Sequence, residues 1–256
     1  MNQTLINIVL GIIANIVSTL LLILAGWIIY FFSERRLHLN FFNISSTKRI
    51  VIYLSNLRIV QGGSIGPDGM RRNYQGTAVV YTEQIAANKF KDSFNFLAHS
   101  FGKSPSYLSK ILFSDINVAS IPSPLTNDEI ESNCTIISFG SPGYNLVSKK
   151  IEEYAESQIR MANNNTEIDI DNIPIITFID AGFIQRIIKN TNGIQKSAFY
   201  VAGLSERGTV GAANYLAKNW KQLNKKFKND ESFIVLLRFP SSNIDEFSLI
   251  IERKIE

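Results

Sequence analysis

At 256 residues the chain is long enough for one substantial core and too short for two full-sized domains, and a formal net charge of +4 is too diffuse to mark a nucleic-acid binder. Two histidines, His38 and His99, argue against a His-based metal centre, and no cofactor is assigned. The lone Cys134 fits a reducing compartment and, with no His or second Cys near it, reads as a small buried residue at the start of a strand.

Nothing charged precedes Glu34, and Leu5 to Phe32 (LINIVLGIIANIVSTLLLILAGWIIYFF) is almost wholly apolar. As a helix it would be about 42 Å long, against a hydrocarbon core of roughly 30 Å, so residues 1–32 read as a membrane span that tilts or projects. A cleavable signal needs a positive n-region and a short apolar run, and MNQT followed by this length supplies neither. Arg35, Arg36, Lys48 and Arg49 come soon after the span, which puts the N-terminus outside the cell inner membrane and the remainder in the cytoplasm. Asn7, Gly11, Asn15 and Ser18 fall on one helical stripe, a pattern that favours close packing between membrane helices and hence a homo-oligomer. Polar residues tolerated near the ends of an over-long span are the alternative.

Residues 33–48 read as a juxtamembrane connector and 49–256 as the cytoplasmic domain. Arg49 to Leu57 (RIVIYLSNL) predicts a first strand, and the loop Gln61 to Asn73 carries Gly62, Gly63, Gly66 and Gly69 around Pro67. Apolar residues at near-helical spacing predict an amphipathic helix within Gly76 to Phe101, then a short helix around Ser106 to Leu112 and a strand around Ile116 to Ile121. After a brief helix capped by Thr126 or Asn127, the expected order is strand Thr135 to Phe139, helix Pro142 to Met161, strand Ile175 to Ile179 and helix Gly182 to Lys189. Strand Ser197 to Ala202, helix Gly208 to Phe227, strand Phe233 to Phe239 and an edge strand Phe247 to Ile251 complete it. Strands alternating with helices predict an α/β, Rossmann-like, mostly parallel sheet flanked by helices. Lys218, Lys221, Lys225 and Lys228 lie opposite the apolar face of the helix after Gly208, as a solvated surface requires.

In such sheets ligands bind beyond the carboxyl ends of the strands, and four junctions there are rich in small and polar residues. They are the loop with Gly62 and Gly63; the corner Gly140, Ser141, Pro142, Gly143, Tyr144 and Asn145; the turn at Asp180; and the run from Gly203 through Glu206 to Gly208 and Thr209. Free N–H groups at a helix start favour an anion, and small residues let it approach. Ser141 with Pro142 is equally an ordinary helix start, as are Asp180 and Gly208. The run from Gly203 lacks the G-K-[ST] of a P-loop, and the first loop is not G-x-G-x-x-G. Glu83, Asp180 and Glu206 are the acids near these junctions, and a pair of them would suit acid/base work or attack at a sugar carbon.

The layout resembles the membrane-tethered Rossmann-like sensors and effectors of bacterial nucleotide-signalled defence. It is also similar, more distantly, to nucleoside deoxyribosyltransferase-like and TIR-like domains, whose acidic residues act on glycosidic bonds. Neither catalytic pattern overlays this sequence residue by residue, so no catalytic residue is carried over. The first resemblance implies a membrane-anchored antiviral sensor or effector that binds a nucleotide-like or other small anionic ligand and responds through its anchor or by oligomerising. The second implies an anchored hydrolase or glycosidase; the acids available to it, read from the junctions and not from that resemblance, are Glu206 or Glu83 with Asp180.

Overall fold

The computed structural model describes residues 3–44, 49–58, 64–65, 71–72, 77–94, 117–131, 134–154, 157–162, 166–171, 173–176, 180–191, 194–240 and 243–255. Contacts divide the chain into Met1–Asn40 and Phe41–Glu256. Helix α1 (Gln3–Phe41) forms the first unit as far as Asn40 and continues through residues expected to be a connector. Within it Leu10–Tyr30, of mean hydropathy 2.4, is long and apolar enough to cross a membrane, and no part of that window is buried.

The second unit contains strands β1 (Arg49–Leu54), β2 (Asn56–Arg58), β3 (Ser64–Ile65), β4 (Arg71–Arg72) and β5 (Thr77–Val79), then helix α2 (Tyr81–Phe94). β6 (Asn117–Pro122), a 3-10 turn at Asn127–Glu129, β7 (Thr135–Phe139) and helix α3 (Leu146–Glu152) follow. The remainder is β8 (Ile159–Ala162), β9 (Glu167–Ile170), β10 (Ile173–Ile176), β11 (Ala181–Thr191), β12 (Ile194–Gly203), helix α4 (Glu206–Lys226), β13 (Phe233–Arg238) and β14 (Ser248–Lys254).

Seven strands form one sheet in the order β14-β13-β11-β12-β7-β1-β6. β12, β7, β1 and β6 run parallel, whereas β11, β13 and β14 join antiparallel, so the α/β reading holds and the sheet is mixed. In β1 the residues RIVIYL are buried from Ile50 onward, as expected of a β-branched strand covered on both faces. One face packs Val51, Tyr53, Phe183 and Tyr200 with Val147 and Ile151 of α3 and with Ile159, Ile168 and Ile170 of the small sheet β10-β9-β8. On the other face the rings of Phe41, Phe42, Phe90, Phe199 and Trp220 meet, and α2 lies beside α4.

Four expected elements differ. Gly182 to Lys189 lies in β11, not a helix: Thr191 pairs with Ile194, and every residue from Ala181 to Ile187 is buried, as a central strand requires. The helix expected over Pro142 to Met161 is confined to Leu146–Glu152, because Asn145 caps it and Ser141 to Tyr144 form a turn. Of the strand expected over Ile175 to Ile179, Ile175 and Ile176 lie in β10 of the small antiparallel sheet, not in the main one, and residues 177–179 lie outside the described residues. The helix expected over Gly76 to Phe101 begins only at Tyr81, after β5; its end and the helix around Ser106 to Leu112 lie outside the described residues.

Candidate functional site

From β1 the chain passes to its neighbour β6 on one side, whereas from β7 it passes towards β12 on the other. The carboxyl ends of β1 and β7 therefore flank a topological switch point, the place where open α/β sheets bind ligands. Ser55 follows β1 and Gly140 follows β7, whose N–H is fixed to Val201 O of β12 at 3.0 Å. Gly140 takes φ +93°, and a Cβ there would fall well inside 3.0 Å of Ser55 Oγ and Glu83 Oε1. Only glycine fits the floor of this corner.

Glu83, in the first turn of α2, is only 5 % exposed and is held entirely by one residue in the hydrogen bonds recorded for it. Ser55 N–H donates to its Oε2 at 2.7 Å and Ser55 Oγ donates to its Oε1 at 2.8 Å. Burial disfavours the carboxylate more than these two bonds favour it, and the nearby Glu206 adds repulsion, so the Glu83 carboxyl is pushed up to about 7. Glu206 opens α4 in an exposed position and accepts a bond from Thr82 Oγ1 at 2.9 Å. The first turns of α2 and α4 thus bring the two acids to one corner. Close by, Asn56 donates its amide to Ser123 O at 2.9 Å while its Oδ1 is buried without a partner.

The remaining predicted residues divide by what occupies them. Asn145 is consumed internally: its amide donates to Tyr53 O and Phe139 O, tying β1 to β7, and its Oδ1 caps Val147 and Ser148. Ser141 O accepts from the N–H groups of Tyr144 and Asn145, while the Tyr144 and Gly143 positions are exposed. Ser141 is thus a turn residue, and Asn145 is the cap of α3.

Gly208 is buried where a Cβ would overlap Ala181 O, and its N–H bonds Ser205 Oγ at 3.1 Å. Thr209 Oγ1 donates to Ser205 O at 3.2 Å. These glycine and hydroxyl groups let α4 approach β11 and β12 closely and leave few donors for an anion. Asp180 lies before β11, not at a helix start, and faces Arg207 at 3.4 Å. Gly62 and Gly63 lie outside the described residues.

Of the three acids, then, the structure brings Glu83 and Glu206 together and gives Asp180 a different partner. Sequence reasoning missed Ser55 and Thr82, whose only signal is a hydroxyl next to a strand end and a helix start. Among the described residues no group of three or more His, Cys, Asp or Glu side chains is placed to hold a metal ion. Comparison with protein-family models and with curated proteins returns no match to this chain.

Proposed function

We propose that the chain is a membrane-anchored cytoplasmic hydrolase acting on the N-glycosidic bond of a nucleotide or nucleoside. The observation that carries this reading is the Glu83 carboxyl, buried at the switch point, titrating near neutrality and linked through Thr82 to a second acid, Glu206. At pH 7 a carboxyl of this kind is present in both protonation states, as a general acid requires. Glu83 would give its proton to the departing base as the C–N bond breaks, while Glu206 accepts a proton from the water that bonds to the sugar carbon. Two neighbouring acids disfavour a phosphate between them but accept hydrogen bonds from sugar hydroxyls. In this reading Leu10–Tyr30 is the anchor in the inner membrane, and Gly11 and Asn15 support self-association.

A second reading, a sensor that binds the nucleotide unchanged, is favoured by Arg207. Its contacts to Asp180 and to Phe239 O are both long, at 3.4 Å, and its Nε has no hydrogen-bond partner. That guanidinium would serve an anion. Incubating the full chain in lipid nanodiscs with a panel of nucleosides and nucleotides, with mass spectrometry of the products, separates the two. Release of free base, lost in Glu83→Gln and Glu206→Gln, supports the hydrolase. Retention of an intact nucleotide supports the sensor, and the absence of both base release and retention overturns both readings.

A further inference from the structure

At the opposite end of the parallel strands from the acid corner, a cavity of about 340 Å³ lies between α3 and the sheet. That size is at the lower end of the roughly 300–1,000 Å³ range of small-molecule pockets. Its origin is a row across three strands: Ile136 of β7 pairs with Ala198 of β12, which pairs with Ile187 of β11. Ala198 is a methyl group between two branched side chains, and the space it leaves is roofed by Val147 and Ile151, one helical turn apart on α3.

The polar lining is asymmetric in charge. Lys150 and Lys189 both line the cavity, and the Lys189 ammonium rests 4.8 Å from the Tyr154 ring centroid, which holds it at the rim. The one acid among the described lining residues, Glu131, is already paired with Arg49 at 2.8 Å. Lys150 pairs at 2.5 Å with Glu153, an exposed ion pair of the kind that a competing anion displaces readily. A branched aliphatic interior with two cations at its edge selects an amphipathic anion with a chain-like body.

We propose that this cavity binds a medium-chain aliphatic monocarboxylate, with its chain along Ile136, Ala198 and Ile187 and its carboxylate between Lys150 and Lys189. The site is independent of the acid corner and of the reaction proposed there.

The test uses the full chain in lipid nanodiscs and a ten-carbon carboxylate carrying a mid-chain diazirine, followed by photolysis and peptide mapping. Label should fall on residues 134–154 and 181–203, and decanoate should displace it at concentrations at least tenfold below those of decanol. Ala198→Phe, which fills the cavity, and the surface double variant Lys150→Glu/Lys189→Glu should each reduce that label about tenfold. The double variant alters only the rim, so it decides the matter even if Ala198→Phe fails to fold. Label confined to the N-terminal helix, or unchanged labelling in the double variant, overturns the site; equal displacement by decanol overturns the anionic headgroup.

Discussion

Arg186 and Glu83 both carry charged groups into the second unit, Arg186 on the antiparallel half of the sheet and Glu83 at the ends of the parallel strands. Arg186 is fully buried, yet its guanidinium makes four hydrogen bonds to three main-chain carbonyls: Phe41 O at 3.3 Å, Glu231 O at 3.0 and 2.6 Å, and Lys228 O. The rings of Phe41 and Phe233 flank it at 5.0 and 4.7 Å. Burial lowers its pKa to about 10, with Glu231 and Asp230 opposing the shift, so at neutral pH it remains charged. Glu83 has two donors from one serine and titrates near 7. A buried ion whose bonding positions are filled by backbone serves the fold, whereas one left incompletely compensated retains chemistry to perform.

The largest effect should come from breaking the first of these. Arg186→Met keeps much of the aliphatic stem but leaves the Phe41, Lys228 and Glu231 carbonyls without their donor. A loss of about 3–5 kcal/mol is expected, measured by thermal or urea unfolding of the full chain in detergent. A loss below about 1 kcal/mol would show that water replaces the guanidinium without penalty, and the contrast with Glu83 would collapse.

Next in size is the pH dependence set by Glu83. Its folded-state pKa, about 7, exceeds the ordinary glutamate value of 4.5, so the folded chain binds more protons than the unfolded chain between those values. The sign follows: this group favours the fold relative to high pH below about 4.5, and that advantage is lost as the pH rises through 7. The change amounts to about 3 kcal/mol. Glu83→Gln carries no titration, and Ser55 Oγ can rotate to accept from the new amide. The difference in stability between wild type and Glu83→Gln should therefore shift by that amount between pH 4.5 and 8, in favour of Gln at high pH. A flat difference would mean that Glu83 is not buried as a carboxyl.

Gly140→Ala sharpens the same point from the other strand. Its φ of +93° and the overlap of a Cβ with Ser55 Oγ and Glu83 Oε1 predict a loss of about 2 kcal/mol. By pushing on the carboxyl it should also displace the Glu83 titration, which the same pH series reads. Normal titration with full stability would remove Gly140 from the corner.

How much of this was legible before the fold was known depends on how local the signal is. β1, β7, β12, β13 and α4 declare themselves through runs such as Arg49 to Leu54 and through the opposed lysine and apolar faces of α4. In β11, Phe183, Ile184, Ile187 and Ile188 also satisfy a helical spacing, so the segment reads locally as a helix. The stronger clue was Asn192-Gly193 between two apolar runs, the favoured dipeptide of a tight hairpin. At the site, Glu83, Gly140 and Glu206 were recognisable as candidates, but their meeting was not. It depends on the pairing of β7 with β1 and on the packing of α2 beside α4, both long-range facts that no local pattern encodes. The anion cradles expected at the helix starts were legible only as donors; that Ser205 and Asn145 already use those donors is a matter of geometry.

The smallest effect on stability should come from Glu206→Gln, and it is the most informative about chemistry. Glu206 is exposed, so little solvation energy is at stake, and Gln preserves an oxygen to accept from Thr82 Oγ1. Among the influences on Glu83 its repulsion ranks last, behind burial and the two Ser55 bonds. Removing it should lower the Glu83 pKa only slightly, because burial and the Ser55 bonds remain. If the two acids act as a pair, base release should nonetheless fall by about two orders of magnitude, the contribution of one positioned acid–base group. Stability, the Glu83 titration and product release measured on the same preparation separate the possibilities. A large fall in turnover with the titration nearly unmoved assigns Glu206 a direct part in the reaction. Were turnover to fall only in proportion to a shifted Glu83 titration, Glu206 would act through its charge alone, and the corner would hold one working acid instead of two.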